Sequence, residues 1–286
     1  MADPQLSKLA IHSVPRSGSS WLGEIINSHP NVSYHFQPLF SYAFKSFLDD
    51  NSSAEDVRSF FEQINESEDE FLSQKKDRDL GTKPTFIKSD RPSLIAYKEV
   101  RYHYVLENAL QAVPEFKCVG LIRCPLAVLS SFKNAPREFR ADLGWNFESE
   151  WRFAQSKNEN RREDYFGYEK WKEAALLLLR LEREFPNQVL IINYNELIEK
   201  TLQQVERLFD FCELDLHSQS IRFLERADDP ERIPNREEQL GSVYSVFHSR
   251  SKDLDWQGEL SDSVIDYISN DLKSSPLSTF LSVACR

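Results

Sequence analysis

Short apolar runs alternate with amphipathic segments along most of this chain, and that alternation restricts its possible folds more than any other feature. The runs "LAI", "NVSYHF", "SLIAYKEV", "FKCVGLIR" and "QVLIINY" resemble short buried strands. Between them, segments such as 20–28 and 165–185 place apolar residues on one helical face. Strands that alternate with helices form a parallel sheet covered by helices on both faces. The sequence therefore predicts an α/β fold, with strands at about 8–14, 31–36, 93–100, 116–123 and 188–194.

Length and composition limit the class of protein further. The 286 residues suit one large domain, and we expect a single domain over 1–286. A net charge of -11 and a pI near 5.2 argue against nucleic acid or an anionic membrane as a partner. The four cysteines have no paired or metal-type spacing, so neither a disulfide framework nor a metal site is expected. No segment looks long enough to span a bilayer and the N-terminus lacks a signal-peptide pattern, which predicts a cytoplasmic protein.

Residues 39–93 differ from the rest of the chain. They are rich in Ser, Asp, Glu and Lys, and they carry only a weak helical pattern around "AEDVRSFFEQI". A long excursion between two strands is usually functional. We expect this segment to be an insertion on the acceptor side of the site.

The segment "VPRSGSSWL" joins the first predicted strand to the first predicted helix. A helix N-terminus that follows a strand is suited to binding anions, because its backbone N–H groups and its dipole favour negative charge. Arg16 can pair with phosphate or sulfate oxygens, and Gly18 lets the backbone approach a ligand closely. Ordinary turn and capping chemistry explains the serines equally well. The Walker A pattern is absent, which disfavours a P-loop kinase or another nucleoside triphosphate enzyme.

A second strand end carries the same chemistry. In "GLIRCPLAVLSS", Arg123 follows a strand, Pro125 opens a helix, and Ser131 lies eight residues after the arginine. Ligands of open parallel sheets collect at the carboxyl ends of the strands. Two such ends, each with an arginine and a hydroxyl, predict a ligand with two separated anionic groups. A structural ion pair is the alternative for Arg123 taken alone.

Together these two segments resemble the sulfotransferases that use 3′-phosphoadenosine 5′-phosphosulfate (PAPS). "VPRSGSSWL" is similar to the 5′-phosphosulfate loop of that family, and "LIRCPLAVLSS" is similar to its 3′-phosphate segment. "LIINYNEL" resembles a later strand and its tyrosine, and "SRSKDLDW" weakly resembles a C-terminal basic segment. The resemblance implies a P-loop-like, three-layer fold, PAPS as the donor, no metal, and these donor-binding residues: Arg16, Ser17, Gly18, Ser19, Ser20, Trp21, Arg123, Ser131, Tyr194 and Arg250.

Three features are similar to the carbohydrate branch of the family, and one departs from it. Arg16 stands where the small-molecule branch has lysine, and an arginine there is similar to the carbohydrate and tyrosyl-protein branches. "YKEVR" resembles the Lys-x-x-Arg strand of carbohydrate enzymes, which would put Lys98 near the transferring group. "HFQPLF" resembles Phe-Glu-Pro-Leu, but Gln37 replaces the glutamate that can act as base. The resemblance thus implies transfer of a sulfonate to an acceptor hydroxyl, on a carbohydrate or glycan precursor.

The proton acceptor is an open question because an amide cannot take up a proton at neutral pH. Residues two apart on a strand share a face, so His35 would point where Gln37 points. An imidazole has a suitable pKa for base catalysis, which makes His35 the first candidate, with Glu99 and His103 behind it. Gln37 would then orient the acceptor, and Arg16, His35 and Lys98 would be the catalytic residues. A core histidine and a catalytically silent nucleotide-binding protein are the alternatives.

Overall fold

The computed structural model describes residues 6–227 and 256–281. Its centre is a five-stranded sheet with the order β2-β3-β1-β4-β5, and every pair of neighbouring strands is parallel. The predicted α/β fold is therefore confirmed, and each predicted strand is present within two residues of its expected ends. The strands are β1 Ser7–His12, β2 Val32–Phe36, β3 Leu94–Glu99, β4 Phe116–Ile122 and β5 Val189–Asn193.

Helices connect the strands and cover both faces of the sheet, as the parallel order requires. Short 3-10 turns add Pro38–Phe40, His103–Val105, Ala141–Leu143 and Pro276–Phe280. Within the described ranges the α-helices are α1 Ser19–Asn27, α2 Ala54–Glu66, α3 Glu70–Ser73, α4 Lys75–Asp79, α5 Leu106–Ala112, α6 Pro125–Lys133, α7 Phe147–Glu150, α8 Gln155–Asn158, α9 Tyr168–Glu184, α10 Tyr194–Glu199, α11 Thr201–Phe211, α12 Ser218–Ala227 and α13 Asp262–Leu272.

Two apolar layers hold these helices to the sheet. Side chains alternate along each strand, so Leu9 and Ile11 face one layer while Ala10 faces the other. Helices α1 and α11 pack in the first layer, and α2, α6 and α9 pack in the second. The helix that follows β1 and the helix that follows β4 therefore cover opposite faces, although the two strands are neighbours.

The segment 39–93 is folded against the sheet. Ser53 caps α2 together with Asp56, and four apolar residues of this helix join the second layer. Phe60 and Phe61 both contact the ring of Tyr97 on β3. No helix of the described ranges is long and apolar enough to cross a membrane.

Helix α1 approaches the sheet closely at one glycine. A Cβ on Gly23 would lie 2.1 Å from the hydroxyl oxygen of Tyr34 on β2 and 2.7 Å from its Cζ. The Tyr34 hydroxyl is buried and has no hydrogen-bond partner within the described residues. Glycine at this position thus sets the distance between α1 and β2.

We expect Gly23→Ala to destabilise the protein. Overpacking costs about 1–3 kcal/mol, which exceeds the helix-propensity gain of about 1 kcal/mol. Tyr34→Phe should be nearly neutral because it removes a buried hydroxyl without a partner. The two changes together should cost less than the sum of the single changes, as measured by urea unfolding. Strictly additive changes in the free energy of unfolding would contradict a direct contact between position 23 and the Tyr34 hydroxyl.

Candidate active site

The topology places a crevice between the carboxyl ends of β1 and β4. At this point the chain connections diverge, because α1 lies on one face of the sheet and α6 on the other. Open parallel sheets bind ligands at such a switch point. The two arginine-bearing segments singled out in the sequence follow these two strands, so the fold brings them to the same crevice.

The loop after β1 has a backbone shaped by two left-handed residues. Arg16 has φ 71° and Gly18 has φ 87°, and Gly18 is the N-cap of α1. A Cβ on Gly18 would lie 2.4 Å from the ring of Tyr194. Glycine is therefore needed here both for its positive φ and for the close approach of Tyr194. This backbone leads the loop directly into the first turn of α1, where an anion is favoured.

Arg123 joins the ends of three strands. Its guanidinium donates a hydrogen bond to the carbonyl oxygen of Arg16, at 2.9 Å, and lies 4.7 Å from the ring centre of Tyr194. The indole N–H of Trp171 on α9 donates to the carbonyl oxygen of Arg123, at 3.0 Å. The arginine after β4 is thus held against the loop after β1 and the residue after β5.

Two hydroxyls complete this part of the site. Arg16 Nε donates to the Oγ of Ser131 on α6, at 3.1 Å. The Oγ of Ser17 is buried and has no hydrogen-bond partner within the described residues. A buried polar group without a partner is uncommon in a folded protein, and it is a position where a ligand oxygen can bind.

The remaining residues of the loop lie in the first turn of α1. Ser19 is buried, Ser20 is half-buried, and Trp21 is buried in the apolar layer between α1 and the sheet. Arg250, the last of the expected donor-binding residues, lies outside the described residues.

Lys98 lies at the end of β3 on the same face as α1. Its side chain is buried, and its ammonium is 4.6 Å from the ring centre of Phe36 on β2. Burial lowers the pKa of Lys98, and the positive charges of Lys83 and Arg16 lower it further. Arg16 and Lys98 are therefore close enough to interact, which places the strand lysine beside the loop after β1.

His35 and Gln37 do not share one environment, although they are two residues apart. The imidazole Nε2 of His35 lies 3.0 Å from the Oγ of Ser33, which is earlier on the same strand. Burial lowers the pKa of His35 to about 4. Gln37 lies beyond β2 with φ 45°, and its N–H donates to the carbonyl oxygen of Lys98 at 2.8 Å. The left-handed backbone at Gln37 ends the alternation on which the sequence argument for His35 rests.

Glu99 occupies the carboxyl end of β3, between the ends of β2 and β1. One carboxylate oxygen accepts the N–H of Phe40 at 3.3 Å, and the other is buried with no hydrogen-bond partner in the described part of the chain. Burial raises the pKa of Glu99.

His12 and His103 form a buried pair behind this end of the sheet. Their Nδ1 atoms are 2.9 Å apart, and His103 lies against the ring of Tyr165. Burial lowers the pKa of His103 to about 3. The described residues contain no group of three or more His, Cys, Asp or Glu side chains that could hold a metal ion.

Two residues near the site were not predicted from the sequence. Trp171 lies on the helix expected over 165–185 and is buried, but its indole N–H also holds the backbone of Arg123. Lys83 lies in the segment 39–93, and its ammonium is 5.1 Å from the ring centre of Phe36, on which Lys98 also lies. Neither residue belongs to a motif, so no local pattern could have identified them.

Comparisons with known proteins identify the family. A family model described as "Sulfotransferase family" matches residues 9–218. This chain belongs to the sulfotransferase family, which confirms the class of enzyme expected from the sequence. No curated protein matches the chain in sequence.

Two solved structures show the same fold. One is mouse sulfotransferase SULT7A1 complexed with PAP, with 14% identity, a TM-score of 0.54, and coverage of 97% of this chain and 88% of that one. The other is retinol dehydratase in complex with androsterone and inactive cofactor PAP, with 15% identity, a TM-score of 0.54, and coverage of 94% and 82%. The carbohydrate branch and the roles of individual residues remain predictions.

We expect Gly18→Ala to abolish binding of adenosine 3′,5′-bisphosphate (PAP), because the methyl group would displace Tyr194 or the loop. Gly144→Ala is the matched control. Gly144 also has a positive φ, of 80°, but no atom lies within 4 Å of a Cβ placed there. Both variants share the backbone strain, so only Gly18→Ala should lose binding in a calorimetric titration. Equal affinities for the two variants would contradict the importance of the Tyr194 contact.

Proposed function

We propose that this protein transfers a sulfonate group from PAPS to an acceptor hydroxyl. The observation that carries the proposal is the contact of the two arginine-bearing strand ends. Arg123 donates to the Arg16 carbonyl, and Arg16 donates to Ser131, so two anion-binding segments form one continuous site. A nucleotide with phosphate groups at both its 3′ and 5′ positions fits such a site. The family match and the PAP-bound structures with the same fold support this donor.

In the proposed reaction the acceptor oxygen attacks the sulfur in line with the bridging oxygen. A new S–O bond forms, the bond from sulfur to the bridging oxygen breaks, and PAP leaves with the negative charge. Arg16 and the first turn of α1 stabilise that charge, and Lys98 lies where it can bind the sulfonate oxygens. The chemistry resembles phosphoryl transfer in depending on position and electrostatics.

We propose Glu99 as the group that takes the acceptor proton, ahead of His35. Glu99 lies at the carboxyl end of a central strand and has one carboxylate oxygen without a described partner. The ring nitrogen of His35 is instead directed to Ser33, back along its own strand. Burial raises the pKa of Glu99, which makes its carboxylate a stronger base than an exposed one.

We further propose that the acceptor is a carbohydrate or glycan precursor, bound by segment 39–93 and the loops after residue 135. The support is the arginine at position 16 and the pair Lys98 and Arg101 at the branch spacing. Arg101 pairs with buried Asp164 and lies 4.5 Å from the ring centre of Phe40, so it rigidifies the turn after β2. A cytoplasmic location is a further proposal, supported by the free, buried state of Cys118 and Cys212.

The donor is tested by thermal unfolding with PAP and, separately, with ATP and magnesium. PAP at a hundred times its dissociation constant should stabilise the protein by about 2.7 kcal/mol, and Arg123→Met should remove most of this effect. Lys76→Met, on an exposed side chain of α4, is the control and should keep it. Stabilisation by ATP alone would favour the kinase alternative and contradict the proposal.

Transfer of label from PAPS, labelled in its sulfonate, tests both whether the protein is an enzyme and which class of acceptor it uses. We expect label on desulfated glycans and not on phenols or sterols. Label on a phenol or sterol only would contradict the proposal that the acceptor is a carbohydrate. If no hydroxyl acquired label, the alternative of a catalytically silent nucleotide-binding protein would be favoured.

Glu99→Gln tests the base. The amide keeps an oxygen for the Phe40 N–H but cannot take up a proton, so turnover should fall by about 10²–10⁴-fold with PAP affinity unchanged. Turnover of the unchanged enzyme should rise with pH as the protonated fraction of Glu99 falls, and the variant should lose that rise. His35→Gln is the comparison and should retain turnover. A loss in His35→Gln with normal turnover in Glu99→Gln would instead assign the base to His35.

A further inference from the structure

Two lysine ammonium groups lie on one aromatic ring beside the site. Lys98 Nζ is 4.6 Å and Lys83 Nζ is 5.1 Å from the ring centre of Phe36. We call these three residues the Phe36 cluster. Both lysines are almost completely buried, with 3% and 2% of their surface exposed. Two buried cations so close to each other repel, so the arrangement is costly unless an anion is near.

Lys83 has a poor partner among the described residues. The nearest carboxylate oxygen, Oε1 of Glu24 on α1, is 3.5 Å from Lys83 Nζ, and this ammonium makes no hydrogen bond within the described residues. Glu24 already forms an ion pair with Arg78, which donates to both of its carboxylate oxygens at 2.9 and 3.2 Å. Asn27 donates to the same carboxylate at 2.8 Å. One carboxylate thus faces two cations, and Arg78 has the better geometry.

Within the described residues, other charged groups around the cluster offset its positive charge only in part. Burial lowers the pKa of Lys83, and Asp77 on α4 opposes only part of that shift. Near Lys98, Glu99 and Glu138 raise the pKa of Lys98, but Glu138 is engaged in an ion pair with Lys157 at 2.6 Å and burial raises the pKa of Glu99 itself. Arg16 adds a further positive charge, which lowers the pKa of Lys98.

The cluster adjoins the place where the reaction occurs. The positive charges of Lys83 and of Arg16 both lower the pKa of Lys98. Glu24 lies one helical turn after Ser20, and the Lys83 ammonium is 3.5 Å from its carboxylate, so Lys83 lies about one turn from the N-terminal turn of α1. The flexible four-carbon stem of a lysine allows its ammonium to move toward an anion at that turn.

We infer that Lys83, supplied by segment 39–93, binds the sulfonate of the donor together with Lys98. This inference rests on the proposed function. In the proposed reaction Lys98 binds the sulfonate, and the sulfonate oxygens can accept hydrogen bonds from both ammonium groups. Binding would supply the counter-charge that the Phe36 cluster lacks. The segment expected to contact the acceptor therefore also completes the donor site.

The test compares two ligands that differ only in the sulfonate. We expect Lys83→Met to weaken binding of PAPS by about tenfold or more, the worth of a charge-assisted hydrogen bond. Binding of PAP, which lacks the sulfonate, should change less than threefold. Both affinities are measured by isothermal titration calorimetry. An equal loss for both ligands, or no loss for either, would overturn the inference.

Lys88→Met is the matched control. Lys88 is also a lysine of segment 39–93 with a lowered pKa from burial, but its ammonium donates to the backbone carbonyls of Asn27, His29 and Val32. Its role is structural, so this variant should change the PAPS and PAP affinities by the same factor. A selective loss of PAPS affinity in Lys88→Met equal to that in Lys83→Met would contradict a specific role for Lys83.

A measurement on the unchanged protein covers the case in which Lys83→Met does not fold. With lysine labelled at ¹³Cε, the Lys83 signal, assigned through Lys83→Arg, should shift on addition of PAPS and much less on addition of PAP. Identical shifts with the two ligands would overturn the inference. If the unchanged protein bound neither ligand, the proposed function itself would be contradicted, and the inference would fall with it.

Discussion

One hydrogen bond organises the site: the Arg123 guanidinium donates to the backbone carbonyl of Arg16. It joins the chain after β4 to the chain after β1 at the point where the sheet connections diverge. The same guanidinium lies on the Tyr194 ring, which in turn leaves room only for glycine at position 18. A cationic side chain thus holds three strand ends in one arrangement before any ligand arrives, and preorganisation of this kind lowers the cost of binding.

Buried positive charge is the second constraint. The charges of Lys83 and Arg16 both act on Lys98, and burial lowers the pKa of both lysines. In a protein with a net charge of -11 this concentration of cations is local. It suits a substrate rich in negative charge, whose arrival would replace repulsion by attraction. The negative net charge of the chain therefore does not indicate the local charge at the site, where positive side chains are concentrated.

The fold could be predicted from the sequence to a large degree. Buried strands of a parallel sheet are continuous apolar runs, and helices such as α9 carry an apolar face, so both leave local patterns. Prediction was weaker where contacts between distant segments decide the outcome. His35 was placed beside Gln37 by strand alternation, but the left-handed backbone at Gln37 interrupts the strand. Lys83 lies in a segment with no motif, and only packing against α1 and Phe36 brings it onto the same ring as Lys98.

By itself the sequence determined the element order, the two arginine-bearing strand ends and the family to which the chain belongs. It did so because strand periodicity, loop glycines and arginine chemistry act over a few residues. Only the tertiary structure decided which groups meet: Arg123 with the Arg16 carbonyl, Trp171 with the Arg123 backbone, and Lys83 with Lys98. Those contacts join residues up to 107 positions apart, and they depend on the strand order and on burial, which no short stretch of sequence specifies.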